Sequence, residues 1–219
     1  MAQVFVTGGT GYMGRRVIPA LAGRGHDVTA LVRPGSESKL PSGAIPIVGD
    51  VLDAETFVAA IPPGAIVVHL VGTPHPSPSK AAEFEAVDFV SARECHAAAT
   101  RANAGHFVYV SVAHPAPIMQ AYVSVRERVE GILRESSLPH TILRPWYVLG
   151  PGHRWAYALV PMYWLAELMP SKREAARRLG LLSLPQMIAA LTYAVGTASN
   201  ECRVMDVPEI RRVASSAPA

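Results

Sequence analysis

The chain contains 219 residues, of which 50% are hydrophobic and 17% are charged, and its formal net charge is +3. A chain of this length is most simply one domain that buries about 70% of its unfolded surface. So apolar a composition argues against disorder. The basic residues are scattered except in short groups at 172–178 and 211–212. Such groups are usually solvated surface and no nucleic-acid-binding motif accompanies them, so the sequence predicts no nucleic-acid partner.

The cysteines and the apolar runs predict where the protein resides. Cys95 and Cys202 have neither metal-ligand spacing nor a disulfide framework, which is typical of free thiols in a reducing compartment. The first predicted strand begins at about residue 3 and leaves no room for a signal peptide. No apolar run reaches the length of about 18 residues that crosses a membrane. We therefore expect a cytoplasmic protein without a transmembrane segment or a metal site, as a monomer or a homodimer.

Residues 4–16 contain a strand, a glycine turn and the start of a helix. The run VFVT is short and β-branched, as in buried parallel strands. In the turn, Gly8 permits a tight bend, Gly11 lets a pyrophosphate approach the backbone, and Gly14 lets the helix lie close to the strand. A helix N-terminus at this point attracts anions, because its first N–H groups lack intrahelical partners. The pattern favours a dinucleotide site over a glycine-rich turn in an unrelated α/β protein.

Two segments resemble a known family. TGGTGYMG at 7–14 resembles the TGxxGxxG fingerprint of the extended and atypical short-chain dehydrogenase/reductases, and LRPWYVLGPG at 143–152 resembles their RPxxVxGPG segment. The resemblance covers residues 1–152 well and the rest loosely, and the short chain is most similar to the atypical, NmrA-like or NAD(P)H-binding branch. It implies cofactor contacts from four segments of the chain. These contacts are Gly8, Thr10, Gly11, Tyr12, Met13 and Gly14 in the first segment, Asp50 and Val51 after the third strand, Leu70, Val71 and Gly72 after the fourth, and Pro145 and Val148 in the last.

The end of the second strand indicates which dinucleotide binds. An NAD site carries a carboxylate there for the ribose 2′-hydroxyl, whereas an NADP site carries an arginine nearby. This chain has Arg33 at that point and no carboxylate until Glu37, and Arg15 follows the last glycine. Because a guanidinium suits a phosphate, we expect Arg33 and Arg15 to favour NADP(H), with NAD(H) also possible. The alternative is that Arg33 is an ordinary surface charge.

Six alternating strand and helix units predict a doubly wound parallel α/β sheet in the order 3-2-1-4-5-6. The predicted domain is a single Rossmann-type unit over 1–219, with a core at 1–152 and a small C-terminal helical substrate region at 153–213. Within that region we expect helices at 173–179 and 185–197, a strand at 203–207 and a frayed tail from 214. The aromatic stretch 155–169 is compatible with core packing, with a pocket wall or with a surface for a partner.

The resemblance also implies a catalytic pair. Enzymes of this family carry Tyr-x-x-x-Lys on the helix after the fifth strand and a Ser or Thr at that strand's end. Tyr122 and Arg126 hold this spacing, eleven residues after Ser111. Positions i and i+4 share a helix face, so the cation favours the phenolate and the tyrosine can exchange a proton with a substrate oxygen. Since arginine keeps the charge but not the geometry of lysine, the alternative stays open that Tyr122 and Ser111 are structural.

Two functions are compatible with this sequence. The first is an NAD(P)H-dependent oxidoreductase acting on a small, apolar carbonyl, alcohol or quinone-like substrate, with Tyr122 as acid/base, Arg126 as its electrostatic partner and Ser111 orienting the substrate. The second is a non-catalytic NAD(P)(H)-binding sensor of the NmrA-like kind, which the missing lysine favours.

His69 lies inside an apolar run and is expected to be a core histidine.

Overall fold

The computed structural model describes residues 1–116, 118–151 and 178–216. The strands are β1 (Gln3–Thr7), β2 (Asp27–Val32), β3 (Ile45–Val48), β4 (Ile66–His69), β5 (His106–Val110), β6 (His140–Leu143), β7 (Tyr147–Leu149), β8 (Leu181–Ser183) and β9 (Arg203–Met205). The α-helices are α1 (Gly14–Ala22), α2 (Ala81–Glu83), α3 (Val90–Arg101), α4 (Gln120–Glu135), α5 (Leu184–Gly196) and α6 (Val207–Ser216).

In the described residues, seven strands form one parallel sheet in the order β3-β2-β1-β4-β5-β6-β9. The predicted order of the first six strands is confirmed, and β9 adds a seventh beside β6. The order reverses between β1 and β4, which opens a crevice at the carboxyl edge of the sheet. Strands β7 and β8 pair separately as a short parallel ribbon.

Both faces of the sheet are covered because successive side chains of a strand point to opposite sides. In β1, Val4 and Val6 enter a core with Ile18 and Leu21 of α1 and with residues of α5 and α6. Phe5, which is 0% exposed, enters the other core with α3 and α4. This two-sided burial explains why the strands read as continuous apolar runs.

Two helical regions differ from the sequence prediction. The helical spacing of residues 80–104 predicts one helix there, but this helix is divided, since a π-helical segment (Phe84–Phe89) separates α2 from α3. At the C-terminus the expected strand ends at Met205, and the expected tail is wrong for residues 214–216, because α6 continues to Ser216. Val207, Ile210 and Val213 are buried at helical spacing on the sheet. The aromatic stretch 155–169 and most of the helix at 173–179 lie outside the described residues, so the division into core and C-terminal region stays a prediction.

The glycines of the first turn allow a direct stability test. A Cβ on Gly14 would lie 2.3 Å from the Gly8 carbonyl oxygen, whereas a Cβ on Gly131 inside α4 meets nothing within 4 Å. We expect Gly14→Ala to lower the free energy of unfolding by about 1–3 kcal/mol, because backbone must shift. Gly131→Ala should raise it by about 0.5–1 kcal/mol, because alanine favours a helix over glycine. Urea denaturation of both variants measures the difference, and equal effects would contradict the close contact at Gly14.

Candidate functional site

The glycine turn forms the base of the site. Gly8 has a φ of +75°, and a Cβ on it would lie 2.8 Å from the Leu70 carbonyl carbon at the end of β4. Gly11 donates its N–H to the Gly8 carbonyl at 3.0 Å and closes the turn. Gly14 then starts α1 against the backbone of Gly8 and Gly9. Each glycine therefore occupies a position that a side chain would obstruct, and α1 points its N-terminus at the carboxyl edge.

A cavity of about 360 Å³ opens beside this turn. Nine of the predicted cofactor residues line it, namely Gly8, Thr10, Gly11, Arg33, Asp50, Val51, Leu70, Val71 and Gly72. The lining also includes residues that sequence reasoning missed, namely Leu31, Val32, Ser36, Gly49, Leu52, Pro74 and Val87. Val32, Gly49 and Leu52 are direct neighbours of predicted positions, so extending each motif by one residue would have found these three and missed the other four. A larger cleft of about 790 Å³, lined among others by Leu149 and Ser183, contains none of the predicted site residues.

The remaining predicted cofactor residues lie outside the lining of this cavity. The Tyr12 hydroxyl lies against Gly150, and the Tyr12 ring lies under the Arg16 guanidinium at 4.9 Å. Met13 and Val148 pack against the buried core. Pro145 accepts the N–H of Ala113 at 2.8 Å. Their assignment as cofactor contacts stays a prediction.

The two arginines of the NADP(H) hypothesis are placed differently. Arg33 is exposed and lines the cavity, and its side chain has no hydrogen-bond or ion-pair partner within the described parts of the chain. The Nε of Arg15 instead donates to the Thr10 carbonyl at 2.8 Å, and Arg15 is outside the lining. The cavity thus has one unengaged cation at its rim.

Asp50 shapes a turn and also lines the cavity. Its Oδ1 accepts the N–H of Leu52 at 3.0 Å, which forms the turn after β3. Thr56 Oγ1 secures the same turn by accepting the N–H of Asp50 and donating to a nearby carbonyl. Because Asp50 and Val51 also line the cavity, turn formation and ligand contact are compatible here.

Tyr122 and Arg126 share one face of α4, as their spacing predicts. The Tyr122 ring is half-buried, meets Phe84 edge-on at 5.1 Å and lies 4.9 Å from the Arg126 guanidinium carbon. Burial disfavours the charged guanidinium, but Tyr109, Tyr122 and Asp88 outweigh it and raise the pKa of Arg126. Arg126 is therefore a permanent cation behind the tyrosine ring, and it is absent from the cavity lining.

Asp88 is the partner that the sequence did not reveal for Arg126. Its Oδ1 forms a buried ion pair with the Arg126 Nη2. In the sequence Asp88 follows Glu83 and Glu85 in the same helical region, and nothing in its spacing connects it with α4. Arg126, the predicted catalytic cation, is thus already paired with a buried carboxylate.

Ser111 is held by a second buried carboxylate. Its Oγ donates to Glu130 Oε1 at 2.6 Å, and Arg144 Nε donates to the same oxygen at 3.0 Å. His114 Nε2 lies 3.2 Å from it. Burial works against ionisation of Glu130, but the hydrogen bonds from Arg144 and Ser111 prevail and lower its pKa. Ser111 therefore directs its hydroxyl at Glu130, and its substrate-orienting role stays a prediction.

His69 is a core histidine, as its apolar context predicts. It is 1% exposed, and its Nδ1 lies 2.9 Å from the Thr7 Oγ1. Burial, with a smaller contribution from the charge of Arg126, lowers the pKa of His69 to about 3. The imidazole is neutral near pH 7 and belongs to the framework behind the cavity.

The described residues give two further findings about binding. They contain no group of three or more His, Cys, Asp or Glu placed to hold a metal ion. Among those same residues no helix is both long and apolar enough to cross a membrane.

The glycine cradle, the N-terminus of α1 and the unengaged Arg33 fit a dinucleotide with its phosphates at the turn.

Comparison with known proteins agrees with this geometry. The profile of a family described as NAD(P)H-binding matches residues 8–159. Divinyl chlorophyllide a 8-vinyl-reductase of Oryza sativa subsp. indica is 31% identical over 160 residues, covering 65% of this chain and 39% of that protein. A 4-hydroxy-2-methyl-3-oxo-4-farnesyl-3,4-dihydroquinoline-1-oxide ketoreductase of Stigmatella aurantiaca is 26% identical over 170 residues, covering 68% of this chain and 51% of that protein. The chain thus spans about half or less of these relatives.

Solved structures share the fold. UDP-N-acetylglucosamine 4-epimerase from Bacillus cereus superposes with a TM-score of 0.70 at 18% identity, over 98% of this chain and 82% of that one. A short-chain dehydrogenase/reductase superfamily protein from Agrobacterium tumefaciens with bound NAD gives a TM-score of 0.67 at 19% identity, over 93% of this chain and 76% of that one. At such identities the likeness shows the Rossmann fold and leaves the activity open.

The buried imidazole predicts a dependence of stability on pH. An unfolded histidine has a pKa of about 6.5, whereas that of His69 in the folded chain is about 3. Between these values the unfolded state binds a proton that the folded state does not, so stability falls as the pH falls below about 6.5. The contribution of His69 is about 1.4 kcal/mol per pH unit. The free energy of unfolding, measured by denaturation at several pH values between 7 and 4.5, should therefore fall less steeply with falling pH in His69→Gln than in wild type. The difference in slope corresponds to about one proton, and equal slopes would contradict the assignment.

Proposed function

The chain belongs to the NAD(P)H-binding family, and on that premise we propose that it is an NADP(H)-dependent oxidoreductase acting on a small, apolar carbonyl, alcohol or quinone-like compound. The observation that carries the proposal is the cavity beside the glycine turn, with Arg33 unengaged at its rim. Two relatives named as reductases, one of them a ketoreductase, support the reaction class. Cytoplasmic location and a monomeric or homodimeric state remain part of the proposal.

The cofactor supplies the hydride when bound, and the chain's own residues bind, orient and move a proton. Gly8, Gly11 and the N-terminus of α1 hold the phosphates. Asp50 and Val51 lie on the cavity wall where the resemblance places the adenine. Tyr122 exchanges a proton between its phenolic oxygen and the substrate oxygen, with the Arg126 guanidinium, 4.9 Å from the centre of its ring, as its electrostatic partner.

A sensor without catalysis is the second candidate, and a specific observation favours it. Arg126 is paired with Asp88, and Ser111 donates to Glu130. Two of the three predicted catalytic groups are thus engaged by carboxylates. A sensor binds the dinucleotide without transferring a hydride and responds by recruiting a partner protein. Sustained NADPH oxidation with any carbonyl, quinone or flavin substrate would exclude this candidate.

The role of Tyr122 is tested by removing its hydroxyl. Tyr122→Phe should lower kcat about 100- to 10,000-fold, because general acid–base catalysis contributes that much, and leave the Kd for NADPH unchanged. Tyr193→Phe is the matched control for loss of a phenol elsewhere, since Tyr193 lies on α5 beside Arg203; neither tyrosine is part of the cavity lining itself. Turnover of a panel of carbonyl and quinone substrates measures the effect. Equal kcat in wild type and Tyr122→Phe would remove this tyrosine from the mechanism.

Cofactor preference is tested at Arg33. A charge-assisted contact with the 2′-phosphate contributes about 1.5–3 kcal/mol, so Arg33→Ala should weaken NADPH binding roughly 10- to 100-fold. NADH lacks that phosphate, and its affinity should be unchanged. Arg93→Ala is the control for loss of a surface charge, because Arg93 pairs with Glu94 on α3. Titration calorimetry with both dinucleotides decides the question, and equal affinities in the wild type would withdraw the NADP(H) preference.

A further inference from the structure

Asp88 connects three separate parts of the chain from a fully buried position. Its Oδ2 accepts two hydrogen bonds from Thr73, one from the backbone N–H at 2.9 Å and one from Oγ1 at 2.6 Å. Its Oδ1 is bonded to the Arg126 guanidinium. The Asp88 side chain is 0% exposed and that of Arg126 is 6% exposed. Both carboxylate oxygens are therefore engaged, one by the loop after β4 and the other by α4.

Arg126 extends this connection to β5, an interior strand of the sheet. Its Nη1 donates to the Val110 carbonyl at 3.0 Å and to the Tyr109 hydroxyl at 3.2 Å. Because a guanidinium is planar and its donors have fixed directions, these bonds fix the face that it presents to Asp88. The loop after β4 is thereby tied to the rigid centre of the sheet.

The residues that Asp88 holds are direct neighbours of the cavity wall. Gly72 and Pro74 flank Thr73 in the chain, Val87 precedes Asp88, and all three line the cavity. A Cβ on Gly72 would lie 2.7 Å from the Arg126 Nη2 and 3.2 Å from the Asp88 Oδ1. The ion pair thus lies directly behind the wall, separated from the cavity by a residue without a side chain.

We propose that Asp88 is a positioning residue for the dinucleotide, which holds the cavity wall of Gly72, Pro74 and Val87 through Thr73. This inference rests on the proposed function, since it requires a dinucleotide in that cavity. A wall that is already ordered avoids the loss of conformational entropy that a loose loop suffers on binding. Arg126 is bonded to the other oxygen of this carboxylate, so this arginine acts on the cofactor through the wall.

The same two segments supply a matched control. Glu85 of the π-helical segment pairs with Arg128 of α4 at 2.6 Å, but both side chains are about half exposed, at 53% and 48%. Exposed ion pairs contribute little because water screens them. Removing Glu85 therefore breaks an ion pair between the same elements without touching the cavity wall.

The experiment measures the Kd of NADPH by titration calorimetry, well below each variant's melting temperature, together with that melting temperature without cofactor. Asp88→Ala should raise the Kd about 10-fold or more, because misplaced binding groups lose affinity steeply. Asp88→Asn should restore part of the affinity, since its amide oxygen still accepts from Thr73. Glu85→Ala should leave the Kd within about 2-fold of wild type.

Each other outcome has a definite meaning. If Asp88→Ala melts earlier but binds NADPH like wild type, Asp88 is structural only and the inference is overturned, while the proposed function stands. If wild type binds neither NADPH nor NADH, both the proposed function and this inference are overturned. If Asp88→Ala does not fold, Thr73→Val decides, since it removes one bond to Asp88 and keeps both charges. A Kd for Thr73→Val raised several-fold supports the inference, and an unchanged Kd overturns it.

Discussion

The close contact between the backbone of Gly14 and that of Gly8 and Gly9 governs the geometry of this site. Gly14 begins α1 so close to the turn that even a methyl group would lie 2.3 Å from the Gly8 carbonyl oxygen. That approach fixes the angle between β1 and α1. Ile18 and Leu21 consequently enter the same core as Val4, and the N-terminus of α1 faces the crevice. Turn, helix and core therefore satisfy one constraint together.

Charge in the interior is organised by two carboxylates. Asp88 engages Arg126, and Glu130 engages Arg144 and Ser111. A buried ion needs both a partner and hydrogen bonds to offset its desolvation, and each carboxylate has them. Arg126 beside Tyr122 is thus balanced by the buried Asp88, whereas Arg33 at the cavity rim has no side-chain partner in the described chain. The paired charges lie in the interior, and the Arg33 charge, unpaired among the described residues, lies at the cavity rim.

This arrangement separates the two candidate functions physically. The proposed binding of NADP(H) uses the glycine turn, the cavity wall and Arg33, and none of these depends on whether Tyr122 transfers a proton. Catalysis additionally requires that the Arg126 charge act on the phenol from behind its ring at 4.9 Å, although Asp88 shares that charge. This fold could therefore keep dinucleotide binding while lacking proton transfer by Tyr122.

Much of the fold was predictable because its signals are local. The apolar runs, the glycines at 8, 11 and 14 and the alternation of elements act over short distances and indicated the strand order and the cavity. The π-helical segment was not predictable, since its residues have ordinary helical spacing and only packing divides the helix there. The terminal helix was missed because Val207, Ile210 and Val213 form a short apolar stripe that burial on the sheet stabilises.

The sequence by itself determined the doubly wound sheet through its six alternating units. It also determined the glycine turn and the position of Arg33 at the rim, because glycine spacing and the end of the second strand are local signals. Only the tertiary structure decided what the charged groups do. Arg126 meets a carboxylate 38 positions away in the chain, and Ser111 meets one 19 positions away. Such pairs form because the fold buries both members where water cannot solvate them. No local pattern in the sequence records which buried charge will find which partner.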